Sequence, residues 1–175
     1  FLITELNKYV QTSSIEANDG TLGVFVGGSQ PLVLGKVSTP LSISFDEFGD
    51  PAKSKLVMKR GTATNVIEEA TLGGGSITGL LHFQNNDLSD AKNLLGRMAM
   101  AIGTTVNNQH KLGIDLNGAA GGDMFRVSAL PDGLASTTNT GAATVQVAIQ
   151  TTPTSGASSL AASSYVINFT GAAAG

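Results

Sequence analysis

The sequence predicts an α+β fold in which one long amphipathic helix accompanies antiparallel β-rich regions. Apolar residues recur every three or four positions between residues 88 and 112, which is the period of a helix. Short alternating segments separated by Gly or Pro occupy residues 13–72 and recur after Asp123, which is typical of antiparallel strands. Residues 1–10 carry a shorter helical period and predict a short N-terminal helix.

Composition excludes several classes of site. Aromatic residues make up 5% of the chain and Trp is absent, so a core must be packed from aliphatic side chains. The absence of Cys excludes disulfides, thiolate zinc sites and a Cys nucleophile. A formal net charge of -3 with scattered basic residues argues against nucleic acid as a partner. No stretch approaches the roughly 20 apolar residues that span a bilayer, so no membrane partner is expected.

The N-terminal segment reads "FLITELNKYV". Leu2, Leu6 and either Tyr9 or Val10 share one face of the predicted helix. The segment has neither an initiator Met nor the basic-then-apolar plan of a signal peptide. We therefore expect the chain to be an internal piece of a longer protein.

Residues 13–72 predict a hairpin-rich β region. In "SSIEANDGTLGVFV" two apolar runs flank Asn18, Asp19 and Gly20, and Asp-Gly between such runs is a strong hairpin signal. The segments "QPLVLGK", "LSISFDEFGD" and "SKLVMKRG" continue as short strands. A small antiparallel sheet is expected.

The long helix is predicted from residue 88 to residue 112. Asp87 is its expected N-cap, Asp90 lies in its first turn, and Gly113 follows it as a C-cap glycine would. At 1.5 Å per residue this helix would be roughly 40 Å long, which suits a rod-like bundle. The heptad seam of this helix consists of Leu88, Ala91, Leu95, Met98, Ile102, Thr105, Gln109 and Leu112.

After Asp123 the pattern becomes β again in "MFRVSAL", "TVQVAIQ" and "SYVINFTG". The sequence thus divides into residues 1–123, a helical portion with a β-hairpin-rich insertion at about 13–72, and residues 124–175, a β-rich domain.

Candidate ligand sites fail on their spacing. The run from Gly73 to Gly79 lacks the Lys of a phosphate loop and is interpreted as a flexible lead into a short helix. Neither His82 nor His110 has a second His at zinc-ligand spacing, and "HKLGID" supplies at most two of the three or four ligands that zinc needs. "DLNGAAGGD" opens like a calcium loop at Asp115 and Asn117, but Arg126 stands where the bidentate Glu is needed. This loop is interpreted as an Asx-type turn with glycines in left-handed conformations.

No catalytic arrangement is recognisable. Glu68 and Glu69 are sequence neighbours and are interpreted as solvated or salt-bridged rather than as a general acid and base. Nothing assembles a catalytic triad. We expect no catalytic, cofactor-binding or metal-binding residues, no cofactor, and no enzymatic activity.

Residues 73–125 carry four short motifs around the long helix: the Gly74–Leu81 lead, "NNQH" at 107–110, "GIDLNG" at 113–118 and "GGDMF" at 121–125. In these motifs the segment resembles the bacterial flagellar hook-associated protein 1 family. Residues 19–35, "DGTLGVFVGGSQPLVLG", also look like the family's segment before this helix. Together these stretches cover about half of the chain.

The resemblance implies a secreted structural subunit of the extracellular bacterial flagellum at the hook–filament junction, without catalysis. Its implied partners are the flagellar hook protein, the next hook-associated protein and further copies of itself, with an export chaperone engaging terminal helices that this chain lacks. It also implies that residues 124–175 face outward. A surface adhesin or glycan-binding module using Asn139, Thr140 and Gln146 is the alternative, and a hydrolase hidden in the outer domain is a third.

Overall fold

The computed structural model describes residues 1–128, 130–141, 144–147 and 161–168. These residues belong to two compact units. Unit 1 comprises residues 1–89 and 133–145, and unit 2 comprises residues 90–132 and 146–175. The boundary that the sequence predicts at residues 123 and 124 is not tested by this division and stays a prediction.

The predicted N-terminal helix is confirmed as α1, Leu2–Tyr9. Lys8 and Glu5 form an exposed ion pair at 2.7 Å on its surface. The helix ends because Asn7 Oδ1 accepts hydrogen bonds from the backbone N–H and the hydroxyl of Thr12, at 2.7 and 3.0 Å. These bonds turn the chain directly into the first strand.

The first sheet is antiparallel, with strands in sequence order. It contains β1 Thr12–Glu16, β2 Leu22–Val26, β3 Gln30–Leu34 and β4 Val37–Ser38. The predicted hairpin joins β1 to β2: Asp19 Oδ1 accepts from the hydroxyl of Thr21 at 2.7 Å and from its N–H at 3.0 Å. These two hydrogen bonds lower the pKa of the Asp19 carboxyl, and the bond from the Thr21 hydroxyl has the larger effect. Gly20 takes a φ of 76°, the left-handed conformation that this turn requires.

The second sheet is also antiparallel, with β6 in the middle. It contains β5 Leu41–Phe45, β6 Ser54–Arg60 and β7 Ala63–Ile67. Asp46 Oδ1 closes the β5–β6 connection by accepting from the N–H groups of Phe48 and Asp50, at 3.0 and 2.9 Å. Residues 13–72 therefore form two sheets where the sequence predicted one.

The buried core of unit 1 is aliphatic, as the composition indicates. It joins both sheets to the helices through Val10, Val26, Leu56, Met58, Ile67, Leu72 and Leu81. Full burial of one such side chain contributes roughly 1.5–3 kcal/mol. Since these seven residues come from sheets and helices alike, the core fixes the first helical segments against the sheets.

A glycine-rich approach leads from the sheets into the next helix, α2, Ser76–His82. A 3₁₀ turn, Glu69–Thr71, precedes it. Gln11 makes two hydrogen bonds with the backbone of Gly74. Its side-chain oxygen accepts from the Gly74 N–H at 3.0 Å, and its backbone N–H donates to the Gly74 carbonyl at 2.8 Å. A Cβ on Gly75 would lie 2.5 Å from the Tyr9 carbonyl oxygen, so this position requires glycine. The run is thus a close-packed junction with α1 and not a phosphate loop.

The long helix is confirmed as α3, Leu88–Lys111. The prediction that Asp87 caps it was wrong. A π-helical segment, Phe83–Asp87, joins α2 to α3 without a break, so Asp87 lies inside a continuous helix and has no free N-terminal amides to cap.

Strands after Asp123 were also predicted wrongly wherever the structure describes them. Residues 124–128 and 130, 144–147, and 164–168 contain no strand. Phe125 illustrates the reason, because its N–H and carbonyl are bonded to the side chain of Asn107 and not to a neighbouring strand. Ala129 and the ends of the second and third segments, 148–150 and 169–171, lie outside the described residues.

Candidate assembly surface on the long helix

The heptad seam is exposed along α3. Leu95, Met98 and Ile102 are 64%, 54% and 55% exposed. Ala91, Thr105, Gln109 and Leu112 are exposed as well, and only Leu88 is half-buried. Part of the seam lines an open concavity of about 550 Å³ together with Leu94, Arg97 and Ala101. An apolar stripe of this length on a solvated helix marks an interaction surface.

The opposite face of α3 is covered by the chain that follows it. Gly103 and Asn107 are the buried residues of the helix. Asn107 Oδ1 accepts from the N–H groups of Met124 and Phe125, each at 2.9 Å, and its Nδ2 donates to the Phe125 carbonyl at 2.8 Å. An ideal Cβ on Gly103 would lie 2.9 Å from Val127 Cγ2. The hydrogen bonds of Asn107 and the lack of a side chain at Gly103 therefore allow residues 124–127 to pack along the helix.

The loop between these segments is closed by its own hydrogen bonds. Asp115 Oδ1 accepts from the N–H groups of Asn117 and Ala119, each at 2.8 Å. The Asx-turn prediction for Asp115 is confirmed, since its carboxylate oxygen is used by local amides. Among the glycines of this turn only Gly118 has a positive φ, 82°, so the left-handed prediction was wrong for Gly121 and Gly122.

The end of α3 differs from a glycine C-cap. Gly113 N–H donates to the His110 carbonyl at 3.0 Å, which closes the last turn with ordinary backbone geometry. This bond satisfies the His110 carbonyl at the end of the helix, so a C-cap glycine in the left-handed conformation is not needed there. His110 Nδ1 lies 2.7 Å from the Gly122 carbonyl oxygen, so the imidazole donates to the returning loop.

The π-helical segment is anchored to the second sheet and to the 3₁₀ turn by consecutive amides. Asn85 exchanges two hydrogen bonds with the backbone of Ser54, both at 2.9 Å. Asn85 and Asn86 also donate to Glu69 at 3.2 and 3.3 Å, and His82 Nδ1 lies 2.9 Å from Glu69 Oε1. Glu69 is thus the residue of the acidic pair whose carboxylate contacts His82, Asn85 and Asn86. The extra residue of the π turn brings adjacent amides to the sheet and to the 3₁₀ turn, which a purely 3.6-residue period does not predict.

The structure gives the surroundings of the residues considered as ligands for a metal ion or a glycan. In the described parts of the chain, no three His, Asp or Glu side chains are grouped to hold a metal ion. Asn139 lies in an exposed turn of unit 1, bonded through its N–H to the Ser136 carbonyl, and Thr140 follows it, whereas Gln146 belongs to unit 2. Within the described residues no helix is both long and apolar enough to cross a membrane.

Comparison with known proteins places these features in one family. Residues 1–125 match the family described as the flagellar hook-associated protein FlgK helical domain. Flagellar hook-associated protein 1 of Escherichia coli is 36% identical over 169 residues, which is 96% of this chain and 30% of that protein. The Salmonella typhimurium protein of the same name is 32% identical over 127 residues, 72% of this chain and 23% of its own length.

A solved structure agrees with the sequence relatives. The flagellar hook junction protein FlgK from Burkholderia pseudomallei superposes with a TM-score of 0.69 at 33% identity, covering 79% of this chain and 26% of that one. This chain therefore spans less than a third of the length of these relatives. No name among them describes an adhesin or a hydrolase. The family match over residues 1–125, with relatives and a solved structure that agree, shows that the chain belongs to the FlgK family of flagellar hook-associated proteins.

Proposed function

We propose that the protein is a structural subunit of the bacterial flagellum at the hook–filament junction, and that it works by assembly and not by catalysis. The observation that carries this proposal is the exposed heptad seam of α3. Leu95, Met98 and Ile102 stay more than half exposed in a helix whose other face is already satisfied within the chain. Further helices of an axial bundle are the partners whose chemistry fits a seam with heptad spacing.

The proposal extends to the neighbours of the whole protein. The flagellar hook protein, the next hook-associated protein and further copies of the subunit are its proposed axial partners, and an export chaperone would engage the terminal helices. The flagellum outside the cell is the proposed location. Family membership supports these partners, since the relatives are named as hook-associated and hook junction proteins.

The test uses the full-length protein that contains this chain, in a motile cell lacking its own copy. Leu95→Gln combined with Met98→Gln places two amides on the seam without adding charge or reducing helix propensity. We expect the variant protein to be exported but the hooks to remain without filaments, because the seam no longer buries apolar surface against its neighbours. Electron microscopy of cell surfaces and immunoblots of the culture medium measure both outcomes.

Asp90→Gln is the matched control, since it introduces the same residue at an exposed position of α3 outside the seam. It should give filaments as the unaltered protein does. Normal filaments on cells that carry the double seam variant would contradict the proposal.

A further inference from the structure

Asn117 is the only asparagine in the sequence that is followed by glycine. In an Asn-Gly pair the backbone nitrogen of the glycine can attack the side-chain carbonyl carbon of the asparagine. A new N–C bond closes a five-membered succinimide, the bond from that carbon to Nδ2 breaks, and the amide leaves as ammonia with the proton from the backbone nitrogen. Water then opens the ring to aspartate or isoaspartate. Glycine favours the reaction because it has no side chain to obstruct the required backbone rotation.

The structure places this pair in an accessible position. Asn117 and Gly118 are both exposed, at the tip of the loop that follows α3. An ideal Cβ on Gly118 would meet nothing within 4 Å, so no neighbouring group blocks approach to the pair. Exposure alone would make Asn117 reactive, and asparagine is among the thermally labile residues.

Hydrogen bonds hold the attacking nitrogen away from the reaction. Gly118 N–H donates to the Asp115 carbonyl at 3.0 Å. Asp115 Oδ1 accepts from Asn117 N–H and from Ala119 N–H, each at 2.8 Å, on either side of the reacting bond. Closing the succinimide needs the Gly118 nitrogen to face the Asn117 side chain, so these bonds must open first. Intramolecular reactions depend steeply on such positioning.

We propose that Asn117 is a site of spontaneous deamidation, an intramolecular modification whose rate is set by the hydrogen bonds that Asp115 accepts. Asp115 is the positioning residue and Gly118 supplies the nucleophilic nitrogen. The reaction needs no co-reactant other than solvent water.

The product alters the loop in two ways. It adds one negative charge beside Asp115, in a chain whose formal net charge is -3. An isoaspartyl linkage also lengthens the backbone inside the loop, which is closed by the bond from Asp115 N–H to the Ala119 carbonyl at 2.9 Å and by the bridge between Ile114 and Ala120. Modification at Asn117 therefore opens the turn that guides the chain from α3 to residues 124–127.

The experiment follows the modification in the intact chain at mildly alkaline pH, folded and in urea. Trypsin releases Leu112–Arg126, in which Asn117 is the sole asparagine, so mass spectrometry assigns the site without ambiguity. We expect isoaspartate at Asn117 in both samples and faster formation in urea, where the Asp115 bonds are absent. An unmodified peptide in urea, or equal rates with and without urea, would overturn the proposal.

Two variants separate the role of Asp115 from general loosening of the fold. Asp115→Ala removes the side-chain acceptor and should speed deamidation of the folded chain roughly tenfold, with no effect in urea. Asp115→Asn keeps an oxygen acceptor at the same position and should retain most of the protection. An Asp115→Ala chain that deamidates at the rate of the unaltered folded chain would contradict control by Asp115.

Discussion

The two faces of α3 differ in the chemistry they carry and in what they contact. The covered face uses Gly103 and Asn107, a residue without a side chain and a polar amide, to hold residues 124–127. The exposed face carries Leu95, Met98 and Ile102, which are large apolar residues of the heptad seam. In a self-contained domain the apolar face would be the buried one.

In α3 the apolar face is exposed and the polar face is covered, which shows what the spacing of apolar residues does and does not predict. The spacing of three and four identifies the stripe that requires burial, but the covering partner need not be in the same chain segment. The contacts that α3 makes with residues 124–127 use hydrogen bonds and close backbone approach instead, which leave the apolar stripe available. The difference between the faces can be tested by removing each kind of contact in turn.

Among changes to α3 and the loop that follows it, the largest effect is expected for Asn107→Ala. The change removes three hydrogen bonds and leaves the N–H groups of Met124 and Phe125 and the Phe125 carbonyl without their partner. Together these losses should lower the free energy of unfolding by about 3 kcal/mol. Chemical denaturation followed by circular dichroism measures the change.

Asn108→Ala is the matched control, because Asn108 is the next residue of the helix and is exposed. It should change the free energy of unfolding by less than about 0.5 kcal/mol. If the two alanine variants were equally stable, the packing of residues 124–127 on the helix would not depend on the hydrogen bonds of Asn107.

A smaller loss is expected for Asp115→Ala, which acts on the loop that brings the chain back to the covered face. Two amides lose the Asp115 carboxylate oxygen, each bonded at 2.8 Å. Because these amides are exposed and water replaces the carboxylate, we expect a loss of about 1–2 kcal/mol and a lower melting temperature. Calcium should have no effect on either protein, and a calcium-dependent rise in the melting temperature of the unaltered chain alone would contradict the turn assignment.

Gly103→Ala and Gly96→Ala compare the covered face with an open position of the same helix. Alanine in place of a helical glycine contributes about 1 kcal/mol of stability when space allows. Nothing lies within 4 Å of a Cβ on Gly96, so Gly96→Ala should be stabilising by about that amount. At Gly103 the new Cβ meets the stiff Val127 side chain at 2.9 Å, and overpacking should make Gly103→Ala destabilising by about 1 kcal/mol. Thermal unfolding of both variants gives the signs, and a stabilised Gly103→Ala protein would mean that residues 124–127 do not press on the helix.

The sequence predicted those elements whose signals are local. The heptad spacing located α3 to within a residue, and the Asn18 to Gly20 run located the first hairpin. The same spacing identified the candidate site, because the membership of Leu95 in the seam follows directly from periodicity. The structure then shows that Leu95 is exposed.

Features that depend on distant partners were missed. Asp87 has the chemistry of an N-cap, yet the bonds of Asn85 to Ser54 hold the π turn through that position. The segment 124–128 alternates like a strand, but a strand needs a neighbour, and here the Asn107 side chain takes the Phe125 backbone groups. Nothing in the local pattern around Asn107 distinguishes it from the exposed Asn108 beside it.

The smallest effect is expected on the seam itself. Leu95→Gln in this chain alone should change the free energy of unfolding by less than about 0.5 kcal/mol, because Leu95 is already 64% exposed and loses little burial. Leu81 has the same side chain but is only 6% exposed in the core, so Leu81→Gln should cost more than about 3 kcal/mol, from lost packing and a buried amide. Parallel denaturation of the two glutamine variants makes the comparison. A large loss at Leu95 would mean that the seam already stabilises this chain, and the case for an external helical partner would then lose its main support.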